Sequence, residues 1–180
     1  MPLPHALLGL INYKPLTGYD LKSAFRVSIN MFWDASLPQI YRTLHQMERN
    51  GWVISNVEQQ KGKPNRKIYK ITSKGKKELY NWLGEPFEAV RVKSEMMIKV
   101  FFGNQMDRGN LVKHINDWRK EHKKFLEVNE NGLKQIVQRY ATELDAKDDM
   151  GFWLLTVDLG IRRSKMIVAW CDSALEFLKK

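Results

Sequence analysis

A single cysteine, Cys171, stands among 180 residues, which excludes an internal disulfide framework and fits a reducing compartment. No apolar run approaches the roughly 18 residues a membrane span needs. The first residues, Met1-Pro2-Leu3-Pro4-His5, lack a basic segment leading into a long apolar one, so no secretory signal is expected. The chain is therefore expected in the cytoplasm and not at a membrane. Its four histidines, His5, His45, His114 and His122, show no metal-ligand spacing and have no cysteine partner. His114 and His122 lie too far apart along one helix to share an ion. Lys61-Gly62-Lys63-Pro64 lacks the pattern of a phosphate loop, and Asp148-Asp149 reads as a helix start rather than an acid/base pair. No metal, no cofactor, no catalytic residue and no enzyme activity are expected. Neither an internal repeat nor a low-complexity segment is visible.

What is present points elsewhere. A hydrophobic content of 43%, with eight Phe, six Tyr and six Trp, suits a globular fold anchored by aromatic packing. The net charge of +10 is concentrated: Lys61, Lys63, Arg66, Lys67, Lys70, Lys74, Lys76 and Lys77 face one acid, Glu58, within residues 58–77. A basic patch of that density is the electrostatic footprint of a phosphate-binding surface.

The first half reads as short helices followed by a hairpin. Pro4 suits a first helical turn before Ala6, Leu7, Leu8, Leu10 and Ile11, and Lys14-Pro15-Leu16 breaks that helix. Thr17-Gly18-Tyr19-Asp20 opens a second helix with Leu21, Ala24 and Phe25 on its apolar face. Ser36-Leu37-Pro38-Gln39 is a second capping box, opening a third helix that runs to Asn50-Gly51, where Gly51 supplies a left-handed terminus. Leu37, Ile40, Leu44 and Met47 form one stripe of this helix, and Gln39, Arg42, Thr43 and Gln46 occupy the opposite arc. Those side chains reach base edges: Arg to guanine, Gln to adenine, Thr to a polar edge or a thymine methyl. A solvated face is usually richer in Glu and Lys, and this arc has neither. The cap residue Ser36 and the flanking Tyr41, whose hydroxyl can meet phosphate, complete the candidate reading helix.

Residues 52–57 and 67–72 are β-branched and aromatic and read as two strands. Between them, residues 58–66 make a turn-forming loop whose Lys61, Lys63, Asn65 and Arg66, with adjacent Lys67, are candidate phosphate contacts. Two strands around a basic loop, directly after a polar-faced helix, describe a winged helix-turn-helix. A fourth helix, from Ser73 to about Leu83, ends at Gly84-Glu85-Pro86. The boundary is set there: residues 1–84 form the DNA-binding domain and 85–180 a second, all-helical one. The fold class is mostly α, α+β only through the wing.

In the second half, 95–102 is a dense apolar run. Residues 107–130 carry Leu111, Ile115, Trp118, His122, Phe125 and Asn129 at heptad-like spacing, with His122 and Asn129 as polar interruptions. A shorter helix follows over 133–144, then a loop over 145–149, then a long helix over 152–178. Leu111, Ile115 and Trp118, with Leu155, Leu159, Met166, Trp170 and Phe177, are the candidate dimerisation residues, because long helices with no core of their own bury their seams against a partner. A winged helix acting through protein–protein or RNA contacts is the competing reading. Aromatics at core spacings, rather than on an open sheet, argue against stacking on single-stranded bases.

In order and spacing these landmarks resemble the PadR family of bacterial regulators: Ala6-Leu7-Leu8-Gly9-Leu10, Thr17-Gly18-Tyr19-Asp20-Leu21, Gln39-Ile40-Tyr41 with Leu44, Met47-Glu48 and Gly51, then Tyr69 and Ile71-Thr72-Ser73-Lys74-Gly75. Glu95-Met96-Met97-Ile98-Lys99 and the closing helix with Trp170 are similar to the longer subfamily. The resemblance implies a cytoplasmic homodimer with intertwined C-terminal helices, bound to a pseudo-palindromic double-stranded operator and repressing transcription. The Phe32-Trp33 pair is similar to the founding subgroup, in which a phenolic acid lowers DNA affinity. A small aromatic or other metabolite effector is therefore implied.

Overall fold

The computed structural model describes residues 2–27, 33–59, 65–87 and 93–179. The chain divides into two compact units, Met1–Phe87 and Glu88–Lys180.

The first unit opens with α1 (Leu3–Tyr13), which buries Leu7, Leu8 and Ile11. Strand β1 (Leu16–Thr17) leads into α2 (Gly18–Val27). The entry is the capping box its sequence predicts: the Thr17 N–H donates to Asp20 Oδ2 at 3.1 Å, and the Asp20 N–H donates to Thr17 Oγ1 at 3.1 Å. Helix α3 (Leu37–Arg49) begins with the reciprocal Ser36–Gln39 box and buries Ile40, Leu44 and Met47. It stops where Gly51 takes φ +71°, a conformation that costs a side-chain-bearing residue more than glycine.

Strands β2 (Val53–Glu58) and β3 (Arg66–Ile71) pair antiparallel, and β1 adds to the other edge of β3, giving the order β1-β3-β2. Two expectations need correction here. Leu16 and Thr17 are more than a helix break, because they pair with Tyr69 and Ile68. The hairpin is also shifted by one residue: Arg66 sits in β3 opposite Glu58, and Thr72 has left the strand. Thr72 leaves because its hydroxyl accepts from the Gly75 N–H, capping α4 (Ser73–Gly84), and donates to the Gly51 carbonyl. Across the unit, the His5 ring lies flat on Trp82 at 4.5 Å, and its Nε2 is 3.0 Å from Glu78 Oε1, joining α1 to α4. The core between these elements contains Leu7, Leu8, Leu21, Phe25, Ile40, Leu44, Met47, Val53 and Tyr69, all essentially inaccessible.

The second unit comprises α5 (Glu95–Phe101), a short turn, α6 (Arg108–Glu143) and α7 (Met150–Phe177). The helices expected over 107–130 and 133–144 are one helix of 36 residues, about 54 Å long at 1.5 Å per residue. A lone glycine within a helix costs only about 1 kcal/mol. Packing along α7 offsets that cost, so Gly132 does not end α6. Leu111, Ile115, Ile167 and Cys171 form the buried centre between α6 and α7, with Met96 and Val100 of α5 packed on it. The polar interruption at His122 is satisfied: its Nδ1 lies 3.0 Å from Ser164 Oγ, and Ser164 is buried. Burial, and secondarily the charge of Arg163, lowers the His122 pKa against the opposing influence of Glu121, so the ring is held neutral.

Candidate nucleic-acid interface

The roll of α3 follows from its hydrophobic period. With Ile40, Leu44 and Met47 turned into the core, Gln39, Arg42 and Gln46 are exposed and Thr43 is half-buried at the edge of the same arc. Two residues of that exposed side were not among the sequence candidates: His45 and Arg49. They follow Arg42 at i+3 and i+7, a spacing that projected onto a helical wheel finds them. Arg49 adds a cation where the charge argument had counted only the hairpin.

Ser36 and Gln39 are partly committed. The Ser36 N–H and hydroxyl donate to Gln39 Oε1 at 2.8 and 2.9 Å. This fixes the Gln39 side chain at the start of the helix and leaves its Nε2 free to donate. Tyr41 leans the other way, onto α2. A Cβ at Gly18 would lie 2.6 Å from its ring carbons, so the two helices of the helix-turn-helix approach through a glycine. Burial raises the Tyr41 pKa, with Tyr19 and Asp20 adding to it, and the phenol stays protonated as a donor.

The cations of the hairpin divide. Lys61 and Lys63, like Phe32, lie outside the described residues. Asn65 and Arg66 are exposed, and the Arg66 guanidinium stands 3.6 Å from Asp20 Oδ2 at the start of α2. Lys67 departs from the expected role of a displayed phosphate contact. Alternation along β3 turns it inward with Tyr69 and Ile71, its Nζ donates to Glu48 Oε2 of α3 at 2.9 Å, and it lies 5.2 Å over the Tyr69 ring. Glu48 also accepts from the Ser55 hydroxyl of β2. The hydrogen bonds from Ser55 and Lys67 hold the Glu48 carboxyl below the usual carboxylate range, and Glu48 raises the Lys67 pKa. Lys70, Lys74, Lys76 and Lys77 are exposed.

The dimerisation candidates divide too. Leu111 and Ile115 are buried, and Trp118 half-buried, against α7 of their own chain, with the Trp118 ring edge-on to Trp170 at 5.9 Å. On α7, Leu155, Leu159, Met166 and Phe177 are 64–74% exposed and Trp170 is at 36%. Phe152, also exposed, extends this face and was not singled out from the sequence.

Three helices and a small antiparallel sheet ending in a hairpin, with a polar arc on the third helix, define a winged helix-turn-helix transcriptional regulator. Residues 7–81 match the transcriptional regulator PadR-like family, and 92–179 match the virulence activator alpha C-terminal family. The chain belongs to the PadR-like family of transcriptional regulators. It is 30% identical to a probable transcriptional regulator of Mycobacterium tuberculosis over 100% of this chain and 99% of that one. It is 28% identical to the negative transcriptional regulator PadR of Bacillus subtilis, over 99% and 98%. The crystal structure of Bacillus subtilis PadR in complex with operator DNA matches with a TM-score of 0.77 at 28% identity, covering 99% of each chain. Its complex with p-coumaric acid matches at 0.73 and 26%, covering 100% of each.

Proposed function

We propose that this chain is a homodimeric cytoplasmic repressor that reads a pseudo-palindromic operator with α3 and the wing, and releases it when a small aromatic acid binds. The observation that carries the reading is the exposed arc of α3: Gln39, Arg42, His45, Gln46 and Arg49, with Thr43 at its edge, include no acid, opposite a stripe that fixes their direction. Arg and Gln are the side chains that pair bidentately with guanine and adenine in the major groove. Ser36 and Tyr41 flank that arc, and Asn65 and Arg66, with Lys61 and Lys63, supply the phosphate contacts that position it. The operator complex of Bacillus subtilis PadR supports the choice of partner.

The exposed face of α7 (Leu155, Leu159, Met166, Trp170 and Phe177) supports the dimer, since contiguous apolar surface of that kind marks an interface. Two copies about a two-fold axis present two reading helices to two half-sites. The p-coumaric acid complex of the same relative supports an aromatic acid as effector class.

The test is selection of duplexes from a random-sequence pool by the full-length protein, followed by salt titrations of the selected and a random duplex. A shared inverted repeat bound in preference to random DNA is expected, with p-coumarate and related aromatic acids weakening it. Replacing Lys63 and Arg66 by Ala should lower the slope of log affinity against log salt by about one to two units per wing pair. Equal affinity for selected and random duplex would refute the reading.

A further inference from the structure

Glu48 is placed where neither a core residue nor a solvated acid belongs. It lies on α3 away from the reading arc, half-buried, with one carboxylate oxygen on the Ser55 hydroxyl of β2 and the other on the Lys67 ammonium of β3. The two hairpin residues are not equivalent anchors: they come from different strands and lie diagonally across the ladder, Ser55 opposite Tyr69 and Val57 opposite Lys67. One side chain of the reading helix is thereby tied to both strands of the wing, and Lys67 is further held over the Tyr69 ring beneath it. Charge-assisted hydrogen bonds of this kind are the stronger ones, and two from one planar group fix direction as well as distance. The apolar stripe of Ile40, Leu44 and Met47 sets the depth of α3. Contacts between apolar side chains are non-directional, however, and tolerate a small rotation about the helix axis.

We propose that Glu48 is a positioning residue for DNA reading: by clasping Ser55 and Lys67 it fixes the rotation of α3 against the wing, so that operator preference depends on it while general DNA affinity does not. Base-edge pairing is intolerant of that rotation, because a bidentate contact needs both of its hydrogen bonds in plane, whereas phosphate contacts by flexible cations are not. Lys67 accordingly belongs to the clasp and not to the phosphate-binding set.

This rests on the DNA-reading function proposed above, and the sign of one substitution tests it separately. Removing an acid from a DNA-binding unit raises its attraction for phosphate, so electrostatics alone predicts that Glu48→Gln binds every duplex more tightly. The clasp predicts that Glu48→Gln weakens binding to the selected duplex by about three- to ten-fold, the scale of one ordinary hydrogen bond. Random-duplex affinity should then be unchanged or higher. Lys67→Met should lower the same ratio with its salt slope intact, where loss of a phosphate contact would remove about one unit of slope per subunit. The exchange Glu48→Lys with Lys67→Glu, which restores the pair with Ser55 able to accept, should recover part of the ratio. Retained random-duplex binding in the same titration shows that a variant is folded. If Glu48→Gln fails that control, Ser55→Ala, which removes one arm only, is read instead. The clasp is overturned by a selected-to-random ratio equal to wild type in these variants. A wild type with no such preference overturns the DNA reading itself.

Discussion

The two units distribute their large apolar side chains differently. In the first, thirteen buried hydrophobic residues drawn from α1, β1, α2, α3, the sheet and the segment before α3 close on one another. In the second, Leu111, Ile115, Ile167 and Cys171 form one buried centre and Val137, Ala141 and Ala146 are buried apart from it, while Leu155, Leu159, Met166 and Phe177 of α7 face outward. Both units keep large apolar side chains at the surface, Ile54, Val57 and Leu83 among those of the first, but on α7 of the second they line one face of a single long helix. The difference agrees with the division of work proposed above, in which the first unit meets DNA and the outer face of α7 meets a second copy.

The sharpest way to break this contrast is to make the outer face of α7 polar. Leu155→Lys with Leu159→Lys should leave the first unit intact yet yield a monomer by sedimentation. Its operator affinity should fall by about 10²- to 10⁴-fold, the range over which two linked sites exceed one. A dimer at micromolar concentration with both lysines in place would move the interface elsewhere. Next in size is a cavity in the first unit. Leu44→Ala, at a position with no accessible surface, should cost about 2–5 kcal/mol of stability in denaturant titration. The same loss is expected in residues 1–87 alone if that unit is autonomous. Arg42→Ala changes nothing in either core. It should cost about 1–3 kcal/mol of operator binding and relax preference at one position per half-site, leaving the melting temperature alone.

The smallest effect separates the units by pH. The folded pKa of His122 lies below its unfolded value near 6.5, so the folded state binds fewer protons than the unfolded one. Its contribution to stability is present above that value and is lost as pH falls from there towards the folded pKa. Melting of the full chain at pH 5.5 against 7.5 should show a loss in wild type that is smaller in His122→Gln. An identical loss in both would place the acid sensitivity on other groups.

How much of this could be read from sequence follows from the range of each interaction. Both capping boxes, the Gly51 terminus and the arc of α3 are set within one or two helical turns, and each stood in the residues themselves. Strand β1 did not, because its two residues are a strand only by virtue of Tyr69 and Ile68, some 50 positions on. The division of 107–144 into two helices failed for a related reason: α6 runs through as one helix packed on α7, a partner distant in sequence. The heptad-like spacing of Leu111, Ile115 and Trp118 was correctly a packing seam, but periodicity carries no information on which chain supplies the other side. In the candidate site, the directions of Arg42 and Gln46 were legible and the fate of Lys67 was not, since Glu48 lies 19 residues away. A count of cations cannot show which of them are already paired.

Gly18 sets a boundary on how this regulator can diversify. Its absent side chain is the clearance through which Tyr41 crosses onto α2, 2.6 Å from where a Cβ would be. Positions 42 and 46 are exposed and outside the Ser36–Gln39 cap, so on the proposed reading new target sequences are reachable one base contact at a time. Even alanine at position 18 would press on the Tyr41 ring and force it to shift, disturbing the packing of α3 against α2. A library built to retarget the protein should therefore vary the former and hold the latter constant.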